Sequence, residues 1–309
     1  MIENLIAFFL IMGSGIFFQW KKPGNINPDL ARHTINTIVI RFFLPTLCFR
    51  VIATADMDIN TILLPVSAIL TISLSLIFSF IVFGIIEKFI SLNKKDKIVL
   101  ILAATFGNVT FLGLPLLTGL YGSGVSQYVF LYDLMATMPL LWFVGASLAC
   151  SYGKGQKLSI KDSVKILAQL PPIWALILGF VVNFCGITLP GFLLKTLELM
   201  SMPIVSLMIF SVGLALTIPK IKETVIVLPA VVIKLCISPL IAYSAAMILG
   251  MKNLAFKSTT MEAAMPTMVL TLVIASQYKL SHKLAALAIV LTTAAGFITM
   301  PIISLLLEK

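Results

Sequence analysis

The chain has 309 residues, with 22 Lys or Arg and 12 Asp or Glu, so charged side chains make up 11% against 60% hydrophobic ones. An ordinary globular chain carries about 25% charged residues, and a soluble one this apolar could not cover its outside with polar surface. The same composition excludes disorder and points to an all-α polytopic membrane protein, in which ten spans of about 20 residues each leave little for a soluble domain.

The first apolar run follows Met1-Ile2-Glu3-Asn4, which lacks a basic region, and so reads as a first span rather than a cleaved signal peptide. Ten apolar segments are predicted, at roughly 4–20, 35–55, 61–86, 98–120, 126–150, 169–185, 193–217, 223–249, 257–277 and 283–306. They are long and rich in Leu, Ile and Ala. Lipid requires backbone groups to be satisfied within the segment, so helices are expected.

The links between segments give an orientation. Basic residues gather in the odd links: Lys21, Lys22 and Arg32 in the first, Lys88, Lys94, Lys95 and Lys97 in the third, and Lys154, Lys157, Lys161 and Lys165 in the fifth. Lys220 and Lys222 follow in the seventh, and Lys279 and Lys283 in the ninth. The even links hold Asp56 and Asp58, Gly and Ser residues, the Gly186–Pro190 stretch, and Lys252 with Lys257 at its edge. Lys and Arg mark cytoplasmic loops, so both termini are expected outside a cytoplasmic (inner) membrane. The net charge of +10 is then topological and implies no nucleic-acid partner. Cys48, Cys150, Cys185 and Cys236 lie singly and the only histidines are His33 and His282, which argues against a zinc site or a disulfide framework.

Weak internal matches recur in order. Leu44-Pro45 answers Met202-Pro203, Ile62-Leu63-Leu64-Pro65 answers Ile226-Val227-Leu228-Pro229, and Tyr121 answers Tyr278. They favour a duplication of five spans. Five is odd, so the halves are inverted, a common build of secondary transporters. The first repeat is expected over 1–150 and the second over 169–309, joined by a cytoplasmic linker at 151–168. Under this register the two interruptions coincide: Asn108 in span four falls opposite Met265 in span nine, and Val109 opposite Pro266. Pro266 lacks an N–H, Gly107 tolerates an unwound backbone, and freed backbone groups survive in a membrane only beside a cavity or protein. The helices restarting after each break point positive ends at the midplane, which favours an anion.

The stretch Gly107-Asn108-Val109-Thr110-Phe111-Leu112-Gly113-Leu114-Pro115-Leu116-Leu117 resembles the span-four signature of the auxin efflux carrier family. Ala264-Met265-Pro266-Thr267, running on to Ala275-Ser276-Gln277-Tyr278, resembles its span-nine counterpart. The resemblance extends over essentially the whole chain, and the short fifth link places it with the prokaryotic-type branch. Plant members carry Pro before the Asn, where this chain has Gly107. The resemblance implies ten helices in two inverted repeats, with helices four and nine broken and crossing. It also implies a scaffold domain from spans 1, 2, 6 and 7, a transport domain from spans 3–5 and 8–10, an elevator-like motion, and a homodimer through the scaffold. Its short members often carry small carboxylates, and the related bile-acid symporters share the build.

An ionisable group within a span is by default a candidate functional residue. Lys234 lies roughly 16 Å into span eight at the helical rise, as a counter-charge for substrate or a structural ion-pair partner. Glu262, one turn before Pro266, can bind Na⁺ or carry a proton with help from freed carbonyls, or pair with Lys234 or Lys257. Asp133 in span five can carry an ion or proton, or pair with Lys234. Arg41 and Arg50 are near enough to span ends to snorkel. Lys195 and Glu198 read as a surface pair, Asn183 as a cap, and Trp20, Trp142 and Trp174 as interface anchors.

The expectation is a secondary active transporter of a small organic anion. Its substrate sits between Gly107, Asn108, Val109 and Thr110 and Met265, Pro266 and Thr267. Glu262, Asp133 and Lys234 provide coupling to Na⁺ or H⁺, and there is no cofactor. A sodium symporter of bile-acid-like amphipaths and a passive channel remain as alternatives. An intramembrane enzyme does too, although no nucleophile–base pair or metal cluster is visible in the sequence.

Overall fold

The computed structural model describes residues 2–90, 92–156, 158–215 and 224–308. Lys157, Lys220 and Lys222, counted above among the basic link residues, lie outside them. The described residues are helical throughout, with a single isolated antiparallel β-bridge. In chain order the helices are α1 (Ile2–Lys21), α2 (Pro28–Ala53), α3 (Asn60–Phe89), α4 (Lys94–Thr105) and α5 (Val109–Tyr121). Then come α6 (Ser123–Lys154), α7 (Ile160–Ala168), α8 (Pro171–Phe184), α9 (Gly191–Ala215) and α10 (Thr224–Ile248). The chain ends with α11 (Asn253–Ala263), α12 (Leu270–Gln277) and α13 (His282–Leu307).

Six of these, α2, α3, α6, α9, α10 and α13, are long and apolar enough to cross a membrane, or seven if α7 and α8 count as one bent span. Predicted segment 98–120 is divided between α4 and α5, and segment 257–277 between α11 and α12. The expected linker at 151–168 is largely helical, since α6 continues to Lys154 and α7 fills its second part.

Local signals account for the helix ends. Asn27 accepts from the N–H of Asp29 and Asn93 from that of Asp96, each at 2.8 Å, so both serve as N-caps. Pro28 and Pro171 occupy the first helical turn, where a missing N–H costs nothing. Proline inside the apolar runs acts differently. Widened π-type turns cover Val39–Phe43, Val109–Gly113, Asp133–Thr137 and Ile233–Ile237, and each ends two residues before a proline (Pro45, Pro115, Pro139 and Pro239). A proline ring clashes with the carbonyl four residues back and offers no N–H. Opening the preceding turn relieves that clash, and such turns recur at functional sites.

The chain forms two compact units. Unit 1 comprises residues 1–58, 110–130 and 166–217, and unit 2 comprises 59–109, 131–165 and 218–309. In unit 1, α8 lies along α2, and α1 lies along the second half of α9. The α1–α9 contact is backbone on backbone: a Cβ on Gly15 would collide with the carbonyl oxygen of Phe210, and one on Gly213 with that of Met12. Small residues that let helices approach this closely are a principal source of helix association in lipid. Asn183 of α8 ties α2 down, its amide donating to the carbonyls of Ile52, Ala53 and Ala55 at 3.1, 3.2 and 2.8 Å. It therefore caps a neighbouring helix rather than its own.

Unit 2 is built around α4. Every residue from Ile98 to Thr105 is buried, which suits a helix apolar on all sides and packed against α3, α6, α10 and α13. Along α3, Ser67, Thr71, Ser75 and Ser79 form a buried polar row at four-residue spacing, and Ser75 and Ser238 share a hydrogen bond of 3.0 Å.

Gly15→Ala is expected to destabilise the protein by about 1–3 kcal/mol, the usual cost of overpacking. Gly13→Ala, two residues away with open space around its Cβ position, should be neutral. Thermal unfolding in detergent checks this, and equal effects of the two substitutions would contradict the packing described.

Candidate functional site at two interrupted helices

α4 runs unbroken to Thr105, then leaves the helix at Phe106 in an extended conformation (φ −94°, ψ 116°). The Phe106 ring fixes this exit by lying where a Cβ on Gly145 would fall, 3.0 Å away. α11 ends at Ala263, three residues before Pro266. Proline disfavours the helical conformation in the residue before it, so the chain through Met265 cannot stay helical. The Pro266 ring is accommodated by Gly296 of α13, where a Cβ would approach it to 2.8 Å.

The two extended stretches meet. Gly107 and Thr267 form an antiparallel bridge, made by Asn108 N–H donating to the Pro266 carbonyl at 2.7 Å and Met268 N–H donating to the Phe106 carbonyl at 2.9 Å. Gly107 and Thr267 are thus the non-hydrogen-bonded pair of the ladder, in which opposed residues come closest. A side chain at 107 would have no room: a Cβ there would be 3.0 Å from Lys234 Cε, 3.1 Å from its Nζ and 3.1 Å from the Met265 carbonyl oxygen.

Side chains satisfy what the bridge leaves over. Thr267 donates its hydroxyl to the Ala103 carbonyl at 2.8 Å and its N–H to Thr292 Oγ1 at 3.0 Å. Lys234 Nζ donates to the Ala263 carbonyl at 2.7 Å. The carbonyls of Thr260, Met261 and Glu262 accept from the N–H groups of Ala264 and Met265. The last turn of α11 is therefore fully capped, with an ammonium at the negative end of the helix dipole, where a cation is favoured.

All ten residues singled out in the sequence are buried. Asn108, Thr110, Asp133, Lys234, Glu262 and Thr267 are each no more than 4% exposed. Gly107, Asn108, Val109, Met265, Pro266 and Thr267 come together at the bridge, whereas Thr110 opens the stretch of chain grouped with unit 1. Lys234 touches the crossing, and Glu262 lies within electrostatic reach of both Lys234 and Asp133. No carboxylate stands within 4.0 Å of Lys234 among the described residues, so its bonded partner is a backbone carbonyl rather than Glu262. Both Glu262 carboxylate oxygens lack a hydrogen-bond partner, as do the buried hydroxyls of Ser258 and Thr259 one turn earlier on α11 and of Ser67 on α3. Buried polar groups are normally paired, and an unpaired group calls for a ligand or ion. Oxygen-only donors of this kind suit a hard cation such as Na⁺ or a proton, with no geometry implied for either.

Sequence reasoning missed several contributors. Thr292 and Gly296, which seat Thr267 and Pro266, carry no motif. Ser258 and Thr259 were legible from their i−4 and i−3 spacing to Glu262 on one helix face. The placement of Asp133 and Lys234 on opened turns was signalled by Pro139 and Pro239 downstream. Of the residues given structural readings, Lys195 and Glu198 form their exposed pair at 2.9 Å. Trp20 and Trp174 are exposed, but Trp142 is buried within unit 2 rather than at an interface.

Thr267→Val is expected to cost about 1–3 kcal/mol by leaving the buried Ala103 carbonyl unpaired, whereas Thr267→Ser should retain most of the stability. Equal melting temperatures for the two variants would contradict the assigned role of the hydroxyl.

The chain matches the family model described as membrane transport protein over residues 1–161 and 155–304. It is 32% identical over 270 residues to an uncharacterized transporter of Methanocaldococcus jannaschii, covering 84% of each chain. It is 29% identical over 281 residues to an uncharacterized transporter of Methanothermobacter thermautotrophicus, covering 89% of this chain and 88% of that one. To the uncharacterized transporter YfdV of Escherichia coli it is 23% identical over 310 residues, covering 97% and 96%. With apolar helices long enough to cross a bilayer several times, and a family match over nearly its whole length, the chain belongs to the auxin efflux carrier family of membrane transport proteins and is a multi-pass transporter, not an enzyme.

Proposed function

We propose that this protein is a secondary active transporter that carries a small organic anion, of the carboxylate class, across the cytoplasmic membrane by an elevator-like motion. The observation that carries this reading is the Gly107–Thr267 bridge between two interrupted apolar helices, with Lys234 and Glu262 buried beside it. Interrupted helices in corresponding halves are the usual build of a transporter's substrate site. The halves are ten spans in two inverted repeats of five. A further pair supports the duplication: Thr137-Met138-Pro139 answers Thr299-Met300-Pro301, 162 residues on by their numbers.

The substrate carboxylate binds at Asn108 and Val109 on one side and Met265, Pro266 and Thr267 on the other. The backbone N–H of Asn108 is committed to the crossing, while among the described residues its buried side-chain amide forms no hydrogen bond in the crossing, which supports a role in holding a ligand. Lys234 lends positive charge, worth more in a site shielded from water than at a surface. Spans 3–5 and 8–10 form the moving body and spans 1, 2, 6 and 7 the scaffold, through which two copies associate. Glu262, with Asp133, takes up the coupling ion, Na⁺ or H⁺. Both termini lie outside.

Uptake into proteoliposomes and ligand-induced thermal stabilisation test this together, since a bound ligand raises stability by mass action. Asn108→Ala should fold with an unchanged melting temperature in the absence of ligand, yet lose uptake and ligand stabilisation by at least about tenfold. Undiminished uptake by this variant would sink the site. Glu262→Gln should bind the anion but lose the dependence of uptake on a Na⁺ or pH gradient. Retained ion dependence would remove Glu262 from coupling.

A further inference from the structure

A cavity lies wholly within unit 1, where the end of α2 meets the beginnings of α6 and α9, and holds about 640 Å³. Arg50 lines it. A half-buried arginine at a span end can snorkel, but its Nε is buried without a hydrogen-bond partner, and among the described residues no carboxylate lies within 4.0 Å of it. A guanidinium is always charged and presents its donors in a fixed fork, so a buried donor left unmet is costly.

Several acceptors close to Arg50 in the chain already hold other partners. The carbonyls of Ile52, Ala53 and Ala55 accept from Asn183. The carbonyl of Arg50 itself accepts from the N–H and hydroxyl of Thr54. Glu198, which feels the charge of Arg50, is held by Lys195 at 2.9 Å. Asp56 also lines the cavity but is exposed, where water screens it. Its negative charge and that of Glu198 disfavour a dianion. Val51 and Leu194 add apolar wall, and Gln127 adds an amide.

We propose that this cavity is a second anion site, which takes a monocarboxylate with an apolar body by a two-bond clasp from Arg50. The planar fork of Arg50 matches a carboxylate, and the apolar body of the ligand lies along Val51 and Leu194. The cavity shares no residue with the crossing, and it lies at the chain end of α2 whose following link is poor in Lys and Arg. As a role for the site, first capture of the transported anion on its way to the crossing rests on the transport function proposed above. The binding itself does not.

Equilibrium binding of radiolabelled benzoate to the purified full-length protein in uncharged detergent tests the proposal, up to about 10 mM, beyond the weak end of specific binding. Arg50→Gln should lower benzoate affinity at least about tenfold and Arg50→Lys by less, because lysine keeps the charge but not the fork. Leu194→Trp, which fills the cavity and leaves Arg50 in place, should reproduce the loss, so a folding defect in the arginine variant does not decide the outcome. The Arg50-dependent component should persist in Asn108→Ala. Loss of all binding in that variant would overturn the second site, whereas its persistence beside unaltered crossing-site uptake would fault the crossing alone. Benzoate binding that is absent, or equal in the parent, Arg50→Gln and Leu194→Trp proteins, overturns the proposal. Displacement of benzoate by added phosphatidylglycerol but not phosphatidylcholine would assign the site to a lipid headgroup and overturn the carboxylate assignment.

Discussion

A helix interrupted inside an apolar protein leaves N–H and C=O groups that no water can reach, and each unmet group costs several kcal/mol in that setting. The structure turns on how two such interruptions answer each other. Phe106, Asn108, Pro266 and Met268 exchange two backbone hydrogen bonds, so one helix break supplies the partners that the other lacks. The remaining carbonyls at the ends of α4 and α11 are met by Thr267 and Lys234. Neither break would be tolerable alone. This mutual dependence explains why interruptions far apart in sequence have complementary residue types: a glycine on one side, and a proline followed by a hydroxyl donor on the other.

The same constraint places the charges. A Cβ at Gly107 would press on the stem and ammonium of Lys234 and on the Met265 carbonyl, which favours the smallest residue there. Lys234 in turn answers a carbonyl dipole, which leaves Glu262 without a bonded counter-ion and its oxygens without donors. A carboxylate so placed has a strong demand for a cation or a proton. In the transport cycle proposed above, that demand is what would couple one flow to another. The turns bearing Asp133 and Lys234 are opened by Pro139 and Pro239, so the sequence device that sets these charges in the interior is local and cheap.

Much of this was legible beforehand, for identifiable reasons. Apolar runs mark helices in lipid because nothing else satisfies their backbone, and the helix breaks at Gly107 and Pro266 follow from what those residues can and cannot do. That the two breaks touch was suggested by the register of a weak repeat and by the family resemblance. The partners of the crossing were not legible. Thr292 and Gly296 lie on α13, and their importance comes from proximity in space that no spacing in the chain encodes. Arg50 shows a related limit of reading the chain alone. Its distance from a span end permits snorkelling, but whether its donors are met depends on Asn183 and Lys195, which lie well over a hundred residues away in the chain by their numbers.

Membership of a transport family says that something crosses the membrane; the crossing of α4 and α11 is where we propose it is held. The most direct test of that claim is a structure of the protein determined with its transported carboxylate bound. The ligand should lie within hydrogen-bond distance of the Asn108 amide, with the Asn108–Pro266 and Met268–Phe106 backbone bonds intact. A transported carboxylate bound away from the crossing, or a crossing whose two backbone bonds have parted to admit it, would contradict the account.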